Sequence, residues 1–365
     1  MRKEIVGGAA RFALLFLLLT VLLVLTGSAW ILAGIGLMFL LPLTSWGANA
    51  YVRKHLLGEI ILPTTTAKNA AVNCTVRIHN DALLPVARYF CTVEIVNDLT
   101  CETETVTLAG GVGAKQSSTH SFLLQSRYCG RLYVALKSVT LMDYFGFLPR
   151  KANIKAAARI TVLPDLFPMD ADMTARPSYA SDGAADRRGE DRSEVFQLRE
   201  YQPGDDVRQI HWKLSAKLEE LVLKEASLPE SRSLLVFWDK RAKGTPAQMD
   251  ALAEVVASVS SGLLESGVLF ALSWTERDEL QMQDIVDETI LLQTIPALVK
   301  NTGSPDCRIP NMESYSRVLY FGAQPEESLS GDDRVHFVLC TEAEYPEATV
   351  FTPRNYQEKL QRLEV

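Results

Sequence analysis

The chain of 365 residues is 47% hydrophobic and 22% charged, and its formal net charge is −7 at pH 7. It is long enough for two domains and too apolar to be disordered. Residues 1–55 carry a net charge of +4, which leaves −11 for the rest of the chain. Such an acidic body argues against nonspecific binding of nucleic acid, because that binding requires cations that replace phosphate counterions.

Residues 1–55 are predicted to form a transmembrane helical hairpin. No charged residue occurs between Arg11 and Arg53, and this apolar run is longer than one helix needs to cross the ~30 Å hydrocarbon core. Two spans fit the run when it breaks near Gly27 and Ser28. The cations lie before the first span and after the second, which places both chain ends and the body in the cytoplasm. We therefore expect a multi-pass protein of the cell membrane, with the lipid bilayer as a partner.

The N-terminal apolar segment has an alternative interpretation, which bears on the side of the membrane where the rest of the chain lies. A cleaved secretory signal would place small residues at Gly27-Ser28-Ala29, behind a basic start and an apolar run. The second apolar run would still stop transfer and leave the body inside. The six cysteines contain no C-x-x-C pair, which favours reduced, mostly buried thiols. Disulfides in the β-rich region would be plausible if the body lay outside the cell.

Residues 56–165 are predicted to form an antiparallel β-sandwich-like domain. Apolar and polar residues alternate from Val72 to Ile78 and in similar runs, as in strands with one buried face. Turns are expected at Asn97-Asp98 and at Gly110-Gly111. The segment Gly110 to Lys115 resembles a phosphate-binding loop but lacks the glycine before the lysine and the hydroxyl residue after it. We interpret it as a hairpin turn.

Residues 166–192 are polar and without periodicity, and we interpret them as a linker or a surface excursion. Residues 193–365 are predicted to form an α/β domain with a mainly parallel sheet. Unbroken apolar runs predict strands that are buried on both faces, at Leu234–Trp238, Val268–Trp274, Val318–Phe321 and Val335–Cys340. A capping box at Thr245 to Gln248 predicts a helix that stops at Gly267, and a second helix is expected within Asp284–Lys300.

The most distinctive motif joins these two regions. Residues 199–213 read R-E-Y-Q-P-G-D-D-V-R-Q-I-H-W-K, and residues 220–225 read E-L-V-L-K-E. This stretch resembles the signature of the bacterial and archaeal family known as domain of unknown function 58. The resemblance implies a membrane-anchored protein with a von Willebrand A-like domain, frequently associated with AAA+ ATPases of the MoxR type. It implies no assigned reaction.

The signature residues are expected to have a structural or partner-binding role. Arg199, Arg208 and Lys213 can neutralise Glu200, Asp205 and Asp206 in one ionic network. The alternative makes these carboxylates a metal site or an acid/base pair with His211. The signature positions that we select are Arg199, Glu200, Tyr201, Gly204, Asp205, Asp206, Arg208, His211, Trp212, Lys213, Glu220 and Lys224. We assign no catalytic residue.

The residues after the first long apolar strand indicate whether the α/β domain can bind a metal ion. Proteins with a von Willebrand A-like fold often bind Mg²⁺ through a D-x-S-x-S motif at this point, where carboxylate and hydroxyl oxygens are the ligands. Here Asp239 is followed by Arg241 and Lys243 at the two serine positions, and cations repel a divalent ion. We expect Asp239 to pair with these neighbours, and we expect neither a metal nor a cofactor.

Two functions remain at this point. The first is a membrane-anchored, non-enzymatic adaptor or assembly factor that presents a cytoplasmic protein-binding domain to a MoxR-type AAA+ ATPase. The second is a hydrolase that acts on envelope components, although no G-x-S-x-G, H-E-x-x-H or complete phosphate-loop motif supports it. The sequence does not give the identity of the partner or the oligomeric state.

Overall fold

The computed structural model describes residues 2–143, 148–169, 195–200, 215, 222–226 and 232–360. Within this range the chain divides into two units, each built from three segments. The first unit consists of Met1–Asp165, Gly244–Ala253 and Ile295–Thr302. The second unit consists of Leu166–Lys243, Glu254–Thr294 and Gly303–Val365.

Two long helices begin the first unit. Helix α1 spans Arg2–Thr26 and helix α2 spans Ala29–Val52. Gly27 lies between them with a φ of +60°, a conformation that glycine adopts without steric cost. The ring of Phe16 packs edge-on against that of Phe39, with the centroids 5.4 Å apart. The predicted break near Gly27 is therefore confirmed.

The prediction of two transmembrane helices is wrong. Within the described residues, α2 is the one helix that is long and apolar enough to cross a membrane. A shorter apolar stretch of α1 covers Ala10–Thr26. At ~1.5 Å per residue this part is about 25 Å long, shorter than the ~30 Å hydrocarbon core.

The rest of the first unit is dominated by β-strands. They are β1 (Leu56–Ile61), β2 (Thr65–Ala67), β3 (Val72–Asn80), β4 (Val86–Asn97), β5 (Thr103–Val112), β6 (Ser117–Leu124), β7 (Gly130–Met142), β8 (Pro149–Ala152) and β9 (Ala157–Leu163). Within the described residues they form one sheet of order β1-β3-β6 and another of order β2-β9-β7-β4-β5, with β8 beside β7. The pair β2 and β9 is parallel, so the predicted antiparallel sandwich is in fact mixed.

The predicted alternation of buried and exposed residues is confirmed. On β3, the side chains of Cys74, Val76 and Ile78 are fully buried, whereas Asn73 and Arg77 are exposed. Inward-facing residues of both sheets contribute to one hydrophobic core. The strands therefore form because each one has an apolar face that the opposite sheet covers.

The turn predicted at Gly110-Gly111 lies further along the chain. Strand β5 continues through both glycines, and the turn to β6 falls at residues 113–116, where Lys115 has a φ of +55°. A Cβ atom at Gly110 would lie 2.5 Å from Nε2 of His120, and one at Gly111 would lie 2.7 Å from the carbonyl oxygen of Ala87. The two glycines thus permit close packing within the domain. The segment from Gly110 to Lys115 therefore ends in a turn, but the predicted hairpin is wrong, because β5 and β6 belong to different sheets.

The second unit contains a hairpin and a larger sheet. Its strands are β10 (Val195–Glu200), β11 (Val222–Ala226), β12 (Arg232–Trp238), β13 (Phe270–Glu276), β14 (Glu279–Ile285), β15 (Tyr315–Gly322), β16 (Val335–Cys340) and β17 (Ala348–Phe351). In the described part of this unit, β10 pairs with β11, and the other strands form a sheet of order β14-β13-β12-β15-β16-β17. We call this sheet the mixed sheet, since β14 is antiparallel to β13 while the remaining neighbours are parallel.

The predicted fold class, two transmembrane helices followed by a sandwich and a von Willebrand A-like domain, is therefore wrong. The described chain has one candidate membrane helix and β-rich units with mixed sheets. Strand β14 was not predicted, because its sequence, E-L-Q-M-Q-D-I, has no apolar run. This edge strand forms through its pairing with β13, a tertiary contact that its own sequence does not signal. The helix expected within Asp284–Lys300 is present at Glu288–Leu298.

The helices outside the N-terminal region are α3 (Pro246–Glu265), α4 (Glu288–Leu298) and α5 (Tyr356–Lys359). The predicted capping box of α3 is confirmed. The Thr245 N–H donates to Oε1 of Gln248 at 2.8 Å, and the Gln248 N–H donates to Oγ1 of Thr245 at 3.3 Å. Gly267 follows the helix with a φ of +74°, as predicted for its C-terminal stop.

The start of α3 contains an acidic residue that is buried in the first unit. Asp250 accepts a hydrogen bond from Nζ of Lys68 at 2.6 Å and another from the backbone N–H of Cys129 at 2.7 Å. The side chains of Lys68 and Asp250 are only 12% and 10% exposed. Because both charges are largely removed from water, each depends on the other for its solvation.

We predict that Asp250→Asn lowers the free energy of unfolding by about 1.5 to 3 kcal/mol, the range for a hydrogen bond to a charged group. The matched control is Asp81→Asn, which removes an ion pair to Lys115 whose side chains are more than half exposed. The control should have a much smaller effect, because exposed pairs are screened by water. Denaturant unfolding of the purified chain measures both. Equal losses in the two variants would contradict the structural role of Asp250.

Candidate functional site

The structure describes only the two ends of the predicted signature. Arg199 and Glu200 lie on β10, and Lys224 lies on β11. In the antiparallel register, Arg199 is opposite Leu223 and Glu200 is opposite Val222. The remaining signature positions lie outside the described residues: Tyr201, Gly204, Asp205, Asp206, Arg208, His211, Trp212, Lys213 and Glu220. The pairing therefore brings the two ends of the motif together at the backbone. The predicted ionic network stays a prediction.

A second cluster of polar side chains lies at the carboxyl edge of the mixed sheet. Strand β12 lies between β13 and β15. The chain runs outward from β12 through β13 to β14, and later returns to the other side of β12 as β15. Such a reversal of strand order is a topological switch point, where parallel sheets commonly bind ligands. The residues that follow β12 and β15 are therefore the natural place to look for chemistry.

Asp239 is the centre of this cluster. It follows β12 directly, and its backbone N–H donates to the carbonyl oxygen of Phe321 at 2.8 Å. Its Oδ1 accepts from the backbone N–H and the Nε of Arg241 at 2.9 and 3.0 Å. Its Oδ2 accepts from Nη2 of Arg241 and from the hydroxyl of Tyr320, both at 2.7 Å. Nη2 of Arg241 also pairs with Glu326 at 2.5 Å. We call these four residues the Asp239 network.

The electrostatics of the Asp239 network hold every donor in its protonated form. Burial, followed by the charge of Asp239, raises the pKa of Tyr320. The hydrogen bond to Asp239 raises the pKa of Arg241 above its ordinary value. Both groups therefore keep their protons at neutral pH and continue to donate to the carboxylate. The arrangement is a closed set of charge-assisted hydrogen bonds.

The prediction that Asp239 pairs with its cationic neighbours is confirmed for Arg241, while Lys243 is exposed. The two carboxylate oxygens already accept five hydrogen bonds from Arg241 and Tyr320. A divalent ion would have to displace these donors. In the part of the chain that the structure describes, no group of three or more His, Cys, Asp or Glu residues is placed to hold a metal ion.

Sequence reasoning missed the most unusual residue of this edge, Lys240. Its side chain is fully buried, and its Nζ lies 5.1 Å from the centroid of the Trp238 ring. Its backbone N–H donates to Oγ1 of Thr275 at 2.8 Å. Burial lowers the pKa of Lys240 to about 7, and the negative charge of Glu276 partly opposes this shift. A lysine in the cationic run 240–243 reads as a solvent-exposed residue, so the sequence contains no signal for its burial.

Most of the cysteines are buried in the described structure. Five of the six are buried and Cys101 is exposed, which confirms the prediction of mostly buried thiols. Burial raises the pKa of Cys74 and Cys91 to about 11 and that of Cys340 to about 12. A nucleophilic cysteine needs a lowered pKa and access to the substrate. These three side chains have neither.

Comparison with known proteins supports the family resemblance over part of the chain. Residues 197–269 match the family model described as "Protein of unknown function DUF58". This range includes every selected signature position, from Arg199 to Lys224. A search of curated proteins found no match. The match thus supports the DUF58 family for this chain and assigns it no activity.

Solved structures resemble this chain only weakly. A CARDB domain from Pyrococcus furiosus is 17% identical and has a TM-score of 0.23, over 30% of this chain and 87% of that chain. A cohesin module from a Clostridium perfringens family 33 glycoside hydrolase is 9% identical with a TM-score of 0.23, over 29% and 96% of the two chains. A Pseudomonas fluorescens alkylpurine DNA glycosylase is 15% identical with a TM-score of 0.21, over 36% and 38%. Likenesses at this level carry no argument about fold or function.

We predict that the burial of Lys240 makes stability depend on pH. Between pH 7 and its ordinary pKa of 10.5, Lys240 binds a proton in the unfolded chain but loses it in the folded one. The free energy of unfolding of the wild type should therefore rise with pH relative to that of Lys240→Met, by up to about 1.4 kcal/mol per pH unit. Denaturant unfolding at pH 7, 8 and 9 measures this difference.

The matched control for this experiment is Lys243→Met. It removes the same charge from an exposed side chain three residues away, and it should leave the pH dependence of the wild type unchanged. If the Lys240→Met and wild-type curves run parallel from pH 7 to 9, the buried lysine does not titrate in this window.

Proposed function

We propose that this protein is a membrane-anchored, non-enzymatic adaptor or assembly factor. In this proposal α2 is the anchor, and the second unit presents a protein-binding surface in the cytoplasm to a AAA+ ATPase of the MoxR type. The family resemblance supplies the class of partner. The signature segment between β10 and β11 is the proposed contact, since the family match includes it.

The observation that carries the non-enzymatic part is the pairing of Asp239. A carboxylate that acts as a general acid or base, or that binds a metal ion, needs oxygens that are free to exchange protons or ligands. At the switch point of the mixed sheet, where a ligand site is expected, the carboxylate instead accepts hydrogen bonds from Arg241 and Tyr320 on both oxygens. The hydrolase alternative would require this network to open.

The cytoplasmic location of the body is supported by charges at the end of the anchor. Arg53 and Lys54 follow α2 directly, and the short connection between α1 and α2 contains no charged residue. Positive residues next to a membrane helix favour the cytoplasmic side. The positions of these cations therefore favour a body that stays inside the cell.

We predict that reporters fused after Lys54 and at Val365 both report a cytoplasmic location. Alkaline phosphatase should be inactive at the two fusion points, whereas a fluorescent protein that folds in the cytoplasm should be bright. A fusion ahead of Ala29, in the connection between the helices, serves as the internal comparison. Phosphatase activity at either of the first two points would exclude a cytoplasmic body.

We also predict that the full-length chain captures a MoxR-type ATPase from its native host. Arg208→Ala, within the signature, should reduce the recovered ATPase by about tenfold, as expected for a residue at the centre of an interface. Arg308→Ala is the matched control, because Arg308 is exposed and lies outside the signature. Its capture should equal that of the wild type.

The outcome is interpreted together with the melting temperature of each variant. Reduced capture by Arg208→Ala with an unchanged melting temperature supports a contact with the partner. Reduced capture with a lower melting temperature supports a structural role for the signature. Repeated purification of the wild type without any ATPase would contradict the adaptor proposal.

A further inference from the structure

The carboxyl end of α2 is part of the protein core. The buried residues of α2 follow a heptad-like stripe of Met38, Pro42, Ser45, Asn49 and Val52. Val52 is fully buried and belongs to the hydrophobic core formed by the two sheets of the first unit. Nδ2 of Asn49 donates to the carbonyl oxygen of Met142, at the end of β7, at 3.0 Å. Lipid therefore cannot surround the last turns of α2.

Because the last turns of α2 pack against protein, the hydrocarbon core of a bilayer can surround only the part of α2 that precedes them. From Ala29 through Trp46, α2 contains about 18 residues and is about 27 Å long, close to the ~30 Å hydrocarbon core. Trp46 then lies at the depth of the lipid headgroups, where tryptophan is enriched in membrane proteins. The β-strands that pack on the following turns lie directly at the membrane surface.

Two arginines are present at this depth. The guanidinium carbon of Arg150, on β8, lies 3.6 Å from the centroid of the Trp46 ring. Arg53 follows the last residue of α2 and is exposed. Arg150 lies opposite Leu141 in the pairing of β8 with β7, and the next residue, Met142, accepts the hydrogen bond from Asn49, one helical turn before Arg53. Burial, and then the charge of Arg53, lowers the pKa of Arg150. Among the described residues, neither forms an ion pair with a carboxylate.

Two exposed leucines adjoin the same surface. The backbone N–H of Asp81 donates to the carbonyl oxygen of His55 at 3.0 Å, so the loop between β3 and β4 lies beside the end of α2. Leu83 and Leu84 in this loop are 73% and 43% exposed. Large exposed apolar side chains at a membrane surface are suited to contact with acyl chains.

We propose that Arg53 and Arg150 form a binding site for the phosphate of an anionic phospholipid, with Trp46 and the Leu83-Leu84 loop against the acyl chains. A guanidinium binds phosphate oxygens through two parallel hydrogen bonds, and one phosphate between two arginines relieves their repulsion. The site rests on the proposed anchoring by α2. It adds a function to the first unit, namely recognition of the charge of the membrane surface.

The test uses the full-length chain in a neutral detergent, titrated with short-chain phosphatidylglycerol, short-chain phosphatidylcholine or inorganic phosphate. Native mass spectrometry counts the bound molecules. Phosphatidylglycerol should bind at least about fivefold more tightly than phosphatidylcholine, and the preference should fall by about fivefold for each arginine removed in Arg53→Gln and Arg150→Gln. Arg150→Lys keeps the charge and should keep part of the preference.

The matched control is Arg159→Gln. Arg159 also lies over an aromatic ring, with its guanidinium carbon 5.6 Å from the centroid of Tyr133, but Arg159 is on β9 and its ring partner is on β7, not on α2. This variant should keep the wild-type preference. Equal loss in Arg159→Gln and Arg150→Gln, or no preference in the wild type, would overturn the site. Equal binding of inorganic phosphate would overturn the assignment to a lipid.

Flotation with phosphatidylcholine vesicles separates this proposal from the proposed anchoring. The wild type and all four variants should float, because α2 inserts without regard to headgroup charge. A wild type that does not float would contradict the anchoring by α2. Flotation of every variant together with an unaltered lipid preference in Arg53→Gln and Arg150→Gln would contradict the arginine site alone.

Discussion

The burial of the last turns of α2 in the β core is the interaction on which the first unit depends. Val52 contributes to the same core as the two sheets, and Asn49 completes its hydrogen bonding with the backbone of β7. For a protein anchored by α2, this leaves no flexible tether between the membrane helix and the first strands. The depth of α2 in the bilayer then determines where the β domain lies relative to the membrane surface. It also determines the depth of Arg53, Arg150 and the Leu83-Leu84 loop.

The second unit shows how a site of the expected kind can be closed by its own residues. The carboxyl edge of the mixed sheet has the topology of a ligand site, and Asp239 lies where a metal-binding or catalytic carboxylate would be expected. Arg241 and Tyr320 occupy the oxygens of this carboxylate. The same edge holds the buried Lys240, whose pKa is lowered to about 7 by burial.

Several elements followed directly from local sequence patterns. The alternation on β3 predicted its buried face, the capping box at Thr245 predicted the start of α3, and the long apolar runs predicted β12, β13, β15 and β16. These features depend on residues within one element, so a single segment contains the information. The pairing of Asp239 with Arg241 was also predictable, because the two residues are neighbours in the chain.

The features that the sequence did not determine depend on contacts between distant segments. Strand β14 exists because β13 offers it an edge, the parallel pairing of β2 with β9 joins residues nearly one hundred positions apart, and Lys240 is buried because the sheet closes around it. Arg150 meets Trp46 only after β8 folds against α2. Composition and periodicity by themselves determined that the chain has an apolar N-terminal segment and an acidic, strand-rich body. Only the tertiary structure decided which charges face one another, because burial and distance between remote residues set their energies.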